Sequence, residues 1–499
     1  MEQSLLQLLD IQLLIMVFLG VFFGIVLAAI PGLTASMGIA LAIPYTFALP
    51  PETGISFLLG IYLGGMYGGA ITAILIRTPG TPSAAATLLD GYPMAAKGDA
   101  DKALKLGIIS SFIGGIFSVI ILMIVAPQLA KVALMFGPPE YFALALFGLS
   151  IVGSVSGKNV VRGLIVATLG LIVATIGMDP IGGLPRFTFG SVNLTGGIEL
   201  IPALMGLFAV SQVIKEVVEK STGDGKKQRI KYKKQRLPVR YLFSKWFHFL
   251  RASIIGTVVG IIPGTGSSIA TFIAYNESLR FATPERRKEY GKGAEEGVIA
   301  TEASNNAVTG GALVPLLTLG IPGDVVTAII LGGFLIHGIQ PGPLLFQNQQ
   351  DLLFTIFGML IFANFCMLLI GWFGIKLFGR IINVPKSILL PIIVTLSFFG
   401  SYALGNNIFD IWVALVFGVI GYLLEKFEYP LPPFILGLVL GPIIESNFRR
   451  ALVQSGEDYM VFFSKPISAI FIIFAIMSFM LPLFKWMWTK YNSSRAKAS

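Results

Sequence analysis

The sequence predicts an all-α polytopic membrane protein. It is built from two repeats of inverted topology with broken or re-entrant helices, plus an extra C-terminal transmembrane helix. Three observations predict it. Of the 499 residues 55% are hydrophobic and only 12% charged, with a mean hydropathy of +0.81, where a soluble domain carries about 25% charge. Long apolar runs such as "LGIISSFIGGIFSVIILMIVA" do not alternate, so they read as helices rather than barrel strands. Finally, the stretch "AIPGLTASMG" (Ala29 to Gly38) returns as "IIPGTGSSIA" (Ile261 to Ala270) in the second half of the chain.

The elements follow in order. The N-terminus "MEQSLLQLLDIQLLIMVFLG" lacks a basic n-region and a clean cleavage site, and reads as a retained first span rather than a signal peptide. Hydrophobic elements of the first repeat (1–214) fall near 11–30, 36–49, 54–76, 106–126, 128–155, 162–178 and 199–214. A basic linker (215–250) follows. From Lys215 to Arg251 twelve Lys or Arg stand against three acids, nearly the whole net charge of +10. Such a run also suits nucleic acid, but apolar spans on both flanks favour a cytoplasmic linker held near anionic lipid, with no nucleic-acid partner. The second repeat (251–455) has elements near 250–262, 266–282, 298–319, 323–340, 352–378, 386–402, 408–424 and 431–445. A last span near 461–486, within 456–499, has no counterpart and ends in the basic, Trp-containing "KWMWTKYNSSRAKAS".

The two halves align by their punctuation. With Pro31-Gly32 placed over Pro263-Gly264, six positions between Gly24 and Ser36 are identical, including Gly24/Gly256, Ile30/Ile262 and Ser36/Ser268. Gly68-Gly69-Ala70 then matches Gly310-Gly311-Ala312, and "RTPGTP" falls near "GIPGDV". Leu149–Ser154 matches Leu396–Ser401, and Asn159 falls over Asn406. Ordered matches of this kind indicate duplication. The basic loop is inside by the positive-inside rule, and so is the basic C-terminus after one extra span. The second repeat must then cross an odd number of times. If the first shares its fold, the first begins outside, and the two are inverted, a recurring plan of secondary transporters.

Chemistry points to the breaks. Proline stops a helix and glycine lets the chain turn or approach a ligand. Small hydroxyls follow, Thr34 and Ser36 in one half and Thr265, Ser267 and Ser268 after Gly266 in the other. They can cap a restarting helix, whose free N–H groups make an anion site. A second pair of breaks supplies Thr78, Pro79, Gly80 and Thr81, and Pro322, Gly323 and Asp324. Four helix ends are thus expected to line a central substrate cavity. "GTGSS" lacks the Gly-Lys ending of a phosphate loop. Asp324 suits a helix cap or a cation ligand. Asn305 and Asn306 in "TEASNNAVTGG" offer carbonyl oxygens to a cation such as Na⁺, or amide donors to a carboxylate. Glu302 is an acid inside or at the edge of a span, and Arg77 pairs with a substrate carboxylate or snorkels to the interface. The glycines at 60, 64, 65, 68 and 69 suit close helix packing. Cys366 and the two histidines have no metal-site spacing, so no cofactor beyond a coupling Na⁺ or H⁺ is expected. With Glu302, Asp324 and Asp90 as the only embedded acid–base candidates, and no histidine among them, an enzyme is disfavoured.

The motifs "IPGLTASMGIALAIPYTF", "YLGGMYGGAITAILIRTPGTPSAAATLLDGYPMAAKG", "GIIPGTGSSIATFIAYNES" and "EASNNAVTGGALVPLLTLGIPGD" resemble the large membrane subunit of the tripartite tricarboxylate transporters, over nearly the whole chain. The resemblance implies an ion-coupled secondary transporter of the bacterial inner membrane, often Na⁺-driven. It implies uptake of citrate and other tri- and dicarboxylates. It also implies two partners, a small membrane subunit and a periplasmic solute-binding protein. The topology then places the N-terminus in the periplasm and the basic loop and C-terminus in the cytoplasm.

Overall fold

A computed structural model describes residues 8–155, 160–218, 235, 237–375 and 385–495, with the backbone alone at 152–155, 160, 386 and 481–495. Asn159 and most of the basic linker, placed by the sequence reading, lie outside the described residues. The chain is helical because, in hydrocarbon, each backbone N–H must be satisfied within its own segment. In order the main helices are α1 Ile11–Ala28, α2 Ala35–Thr46, α3 Pro51–Ile76, α4 Leu88–Met94, α5 Ala100–Ala133, α6 Pro138–Val155, α7 Val160–Ala174, α8 Leu200–Val218, α9 Trp246–Ile261, α10 Gly266–Arg280, α11 Glu295–Leu319, α12 Val325–Ile336, α13 Gln350–Phe373, α14 Lys386–Gly405, α15 Ile408–Lys426, α16 Leu431–Ser455 and α17 Pro466–Arg495. Among the described residues eight helices are long and apolar enough to cross a membrane. At 1.5 Å per residue the 12-residue α2 and α12 reach only about 18 Å, short of a ~30 Å hydrocarbon core.

Several boundaries differ from the sequence reading: α16 runs to Ser455 rather than 445 and α12 covers only Val325–Ile336 of the expected 323–340, and two further differences have a local cause. The break expected near Pro127 is absent, and α5 runs through that proline to Ala133. Its missing N–H removes one hydrogen bond from a long apolar helix, which absorbs it. The chain breaks instead before Pro138, which starts α6 at the position where a proline N–H is not needed. The apolar stretch expected to end at 178 stops as helix at Ala174 and turns into a small antiparallel hairpin, Gly177–Met178 with Pro185–Arg186.

The chain forms two compact units, each drawing on both halves of the sequence. The first comprises 1–131, 201–262 and 266–422. Its centre is α3 and α11. Nearly every residue of α3 from Thr53 to Leu75 is buried, and every residue of α11 from Glu296 to Thr318. Around them α1 and α2 pack on α3, α9 and α10 on α11, and α13 on both α1 and α3. The contacts are made through glycines. A Cβ on Gly24 would lie 2.3 Å from the Ile61 carbonyl oxygen, and one on Gly68 2.6 Å from that of Ile25. In the second half a Cβ on Gly256 would lie 2.2 Å from the Ser304 oxygen, and one on Gly311 2.5 Å from that of Thr257. The backbones touch, as small-residue packing in membranes requires.

The second unit comprises 132–200, 263–265 and 423–499. Here α7 meets α16 through Gly170 and Gly437, and α6 meets α17. Phe142, Phe448 and Phe462 form a ring cluster, with Phe448 and Phe462 stacked at 5.4 Å. The hairpin is tied to α16 by Arg186 to Glu445 and Arg449 to Asp179. The guanidinium of Arg449, with the amides of Gly182 and Ile181, holds the Asp179 carboxyl well below the ordinary carboxylate range. Exposed apolar side chains such as Phe18, Ile124, Leu169 and Ile473 suit a lipid surround.

Candidate functional site

The breaks have recognisable local chemistry. α1 ends at Ala29, Pro31 prevents its continuation, and Gly32 turns the chain with φ +93°. Thr34, extended, caps α2 by accepting from the Met37 amide at 3.3 Å. Pro31, Gly32 and Thr34 are half-buried and Ser36 is buried. A Cβ on Gly32 would lie 2.8 Å from Gln212 Nε2 and 2.9 Å from Glu216 Oε1, so α8 overlies this turn. Neither α8 residue was legible as a site residue, because a Gln and a Glu in a helix's last turns look like an ordinary polar end.

At the second break α3 closes on Arg77, in the left-handed conformation with φ +57°. Thr78 and Pro79 are exposed, whereas Gly80 and Thr81 are buried. The Thr78 amide donates to the Thr72 carbonyl at 3.4 Å and that of Gly80 to the Gly69 carbonyl at 3.2 Å. The Arg77 guanidinium lies 5.7 Å from the Tyr92 ring centre. The fourth break repeats this turn. Gly320 is left-handed with φ +70°, and the Ile321 amide donates to Pro315 at 3.3 Å. A Cβ on Gly80 would lie 2.2 Å from the Ala28 oxygen at the end of α1, and one on Gly323 2.8 Å from the Gly260 oxygen at the end of α9. Each half therefore seats its second break against the helix that leads into its first.

Asp324 is buried and forms a capping box with Thr327, which starts α12, and it also accepts from the Tyr62 hydroxyl of α3 at 2.8 Å. Thr81 starts a short 3-10 turn, Pro82–Ala85, with Ser83 at 3.1 Å. The third break, Pro263 to Thr265, groups with the second unit. There Gly264, with φ +80°, lies near the Gly148 oxygen and Leu436. Pro263 and Gly264 are buried; Thr265, Gly266, Ser267 and Ser268 are half-buried. Within the first unit a Cβ on Gly266 would approach Asp324 Cβ to 4.0 Å, the turn Pro82–Ala85 packs on α10, and α2 packs on α12. So the elements that restart after the breaks meet across the halves.

The middle of α11 is the polar part of this unit. Thr301, Glu302, Ser304, Asn305, Asn306 and Thr309 are all fully buried. The Asn305 amide donates to the Met66 carbonyl of α3 at 2.9 Å and the Asn306 amide to the Glu302 carbonyl at 3.4 Å. Their Oδ1 atoms, with Asn364 Oδ1 and the Tyr67 hydroxyl, have no hydrogen-bond partner among the described residues. A buried amide oxygen without a donor is unfavourable unless something binds it. Neutral amide oxygens and a buried carboxyl on one stretch of α11 are donor types that suit a hard cation or a proton. Tyr62, Tyr67 and Asn364 left no signal in the sequence, since one aromatic or amide in an apolar run is equally a packed core residue.

The profile of the tripartite tricarboxylate transporter TctA family matches residues 14–436. An Agrobacterium vitis protein described as an uncharacterized 52.8 kDa protein in the TAR-I ttuC' 3' region is 37% identical over 453 residues, covering 91% of this chain and 89% of that protein. A second A. vitis protein, from the TAR-II ttuC' 3' region, is 36% identical over 214 residues, 43% of this chain and 88% of its own length. No solved structure matches. With the family profile spanning the paired breaks and the polar helix alike, the chain is a multi-pass membrane protein that belongs to the tripartite tricarboxylate transporter TctA family.

Proposed function

We propose that this chain is the translocating subunit of a secondary transporter. It imports tri- or dicarboxylates such as citrate across the bacterial inner membrane, driven by a cation gradient, Na⁺ or H⁺. A periplasmic binding protein delivers the substrate, and a small membrane subunit completes the complex. Another small organic anion would use the same machinery. The single observation that carries this reading is the pairing of broken helices. Four Pro-Gly breaks lie at corresponding places in the two halves, and the elements that restart after them pack on one another. Such restarts aim N–H groups at an anion within the membrane's depth. The recurrent break geometry supports two inverted repeats divided near 215–250. On this reading the substrate touches the hydroxyl and amide groups of the breaks, and Asn305, Asn306 and Asp324 serve the cation. The binding protein sets much of the choice of acid.

The test is uptake of labelled citrate and succinate into vesicles holding the full complex and its binding protein, with and without imposed Na⁺ and proton gradients. Gradient-dependent accumulation is expected. Gly264→Leu or Ser268→Leu should abolish uptake while leaving the protein at normal levels in the membrane. A wild-type rate in either would remove the breaks from the site.

A further inference from the structure

Glu302 is fully buried in α11, and among the described residues no cation pairs with its carboxyl. Its carboxyl accepts from Thr87 Oγ1 at 2.5 Å and from Ser111 Oγ at 3.2 Å, both neutral hydroxyls. Thr301 Oγ1 lies 3.0 Å from that of Thr87. The charged groups on surrounding elements are engaged elsewhere. Asp90 of α4 accepts from Tyr275 and from the amides of Gly293 and Ala294. On α5, Lys105 pairs with Asp101 and Lys102 with Glu295. Glu296 is held by Lys245 and Arg286, and Arg280 pairs with Glu277 on α10. On α9, Arg251 lies against the rings of Phe247 and Phe281, and His248 is two residues from the start of the helix. Asp324 is bound by Tyr62 and Thr327. Among the described residues, then, no cation is within ion-pair reach of Glu302.

An isolated carboxylate so placed costs several kcal/mol, and in hydrocarbon such a group neutralises instead. Two agents can do this, a metal ion or a proton. The oxygens here touch one another at hydrogen-bond distances. A hard ion of the size of Ca²⁺ or Na⁺ must instead stand between its ligands, about 2.3–2.6 Å from each. The packing therefore favours the proton. A second observation points the same way. Among the described residues the buried Tyr67 hydroxyl of α3 has no partner, and the Tyr67 ring and the Glu302 side chain both come within 3.9 Å of where a Cβ on Gly107 would lie.

We propose that Glu302 is a proton-binding carboxyl of the transport cycle. It takes one proton from water on one side of the membrane, crosses the occluded state neutral, and returns the proton to water on the other side. Only the O–H bond is made and broken. This rests on the transport reading above and assigns its coupling ion at this residue.

Infrared pH-difference spectra of the full complex in lipid vesicles test it without any substrate. The wild type should show a protonated-carboxyl stretch at neutral pH that titrates away in alkali and is missing in Glu302→Gln. Absence of any Glu302-dependent band would overturn the proposal. So would a band abolished by sodium at fixed pH, which would make this a sodium site. A second arm uses labelled citrate and succinate with an imposed proton gradient. Glu302→Gln should lose concentrative uptake while staying at normal levels in the membrane, and retained concentrative uptake would overturn proton coupling at Glu302. If the wild type moves neither acid, the failure falls on the transport reading, and the infrared result still decides the protonation.

Discussion

The hairpin of α1 with α3 and that of α9 with α11 share one backbone plan and carry different side chains. In both, glycines bring carbonyl oxygens of one helix within 2.2 to 2.6 Å of where a Cβ on the other would stand. In both, the long helix closes on a left-handed residue and a Pro-Gly turn folds back on the short helix. The fillings diverge. The stretch of α3 from Leu58 to Ala70 is almost wholly aliphatic, aromatic or glycine, whereas α11 from Thr301 to Thr309 is mostly polar. The left-handed position is Arg77 in one and Gly320 in the other, and the residue after Pro-Gly is Thr81 or Asp324. Scaffold and chemistry are therefore separable. Glycine and proline set the geometry in both halves, and the run of buried polar groups from Thr301 to Thr309 of α11 has no counterpart in α3.

The largest expected effect tests the shared scaffold. Gly80→Val and Gly323→Val each push a side chain into backbone, at 2.2 Å from the Ala28 oxygen and 2.6 Å from Ala312 Cα. Backbone cannot rotate aside as a side chain can, so each should cost more than the ~1–3 kcal/mol usual for overpacking. Both variants should fail to yield monodisperse protein on size-exclusion chromatography in detergent. A well-folded variant of one and not the other would break the equivalence of the halves.

A smaller effect tests the divergent filling. Asp324→Ala removes the α12 cap, about 1 kcal/mol, and leaves the buried Tyr62 hydroxyl unpaired, a further ~1–3 kcal/mol. Tyr62→Phe together with Asp324→Ala should recover most of the second part. Thermal unfolding in detergent reads both. If the double variant unfolds no higher than the single, Tyr62 and Asp324 are not coupled.

These cases show what was legible. Proline and glycine act locally and in fixed spacing, so the breaks, the helix order and the glycine packing could be read from the chain. The placing of Pro127 was misread because a membrane helix tolerates a proline that a soluble one would not, while Pro138 uses the same ring to begin a helix. The partners of Asp324 and Glu302 were illegible for a different reason. Tyr62 lies 262 positions from Asp324 and Thr87 lies 215 from Glu302, and a lone hydroxyl in an apolar run gives no local sign of what it meets.

The smallest effect sharpens the comparison at one position. Arg77 and Gly320 occupy the same left-handed turn. For a side chain with a Cβ that conformation costs about 1–2 kcal/mol. Glycine removes the strain but loses about 0.5–1 kcal/mol of unfolded-state entropy. Arg77→Gly also forfeits the exposed contact with Tyr92, worth about 0.5–1 kcal/mol. The terms nearly cancel, so Arg77→Gly should unfold within about 1 kcal/mol of the wild type. Gly320→Ala has no such compensation and meets the Pro341 oxygen at 2.8 Å, so it should unfold clearly lower. Uptake by Arg77→Gly separates the two sequence readings of Arg77. If the arginine holds substrate carboxylate, uptake collapses at unchanged stability; if it only closes the helix and reaches the interface, uptake persists. Its exposure at the end of α3 favours persistence, and a variant of normal stability with no uptake would move the arginine into the site.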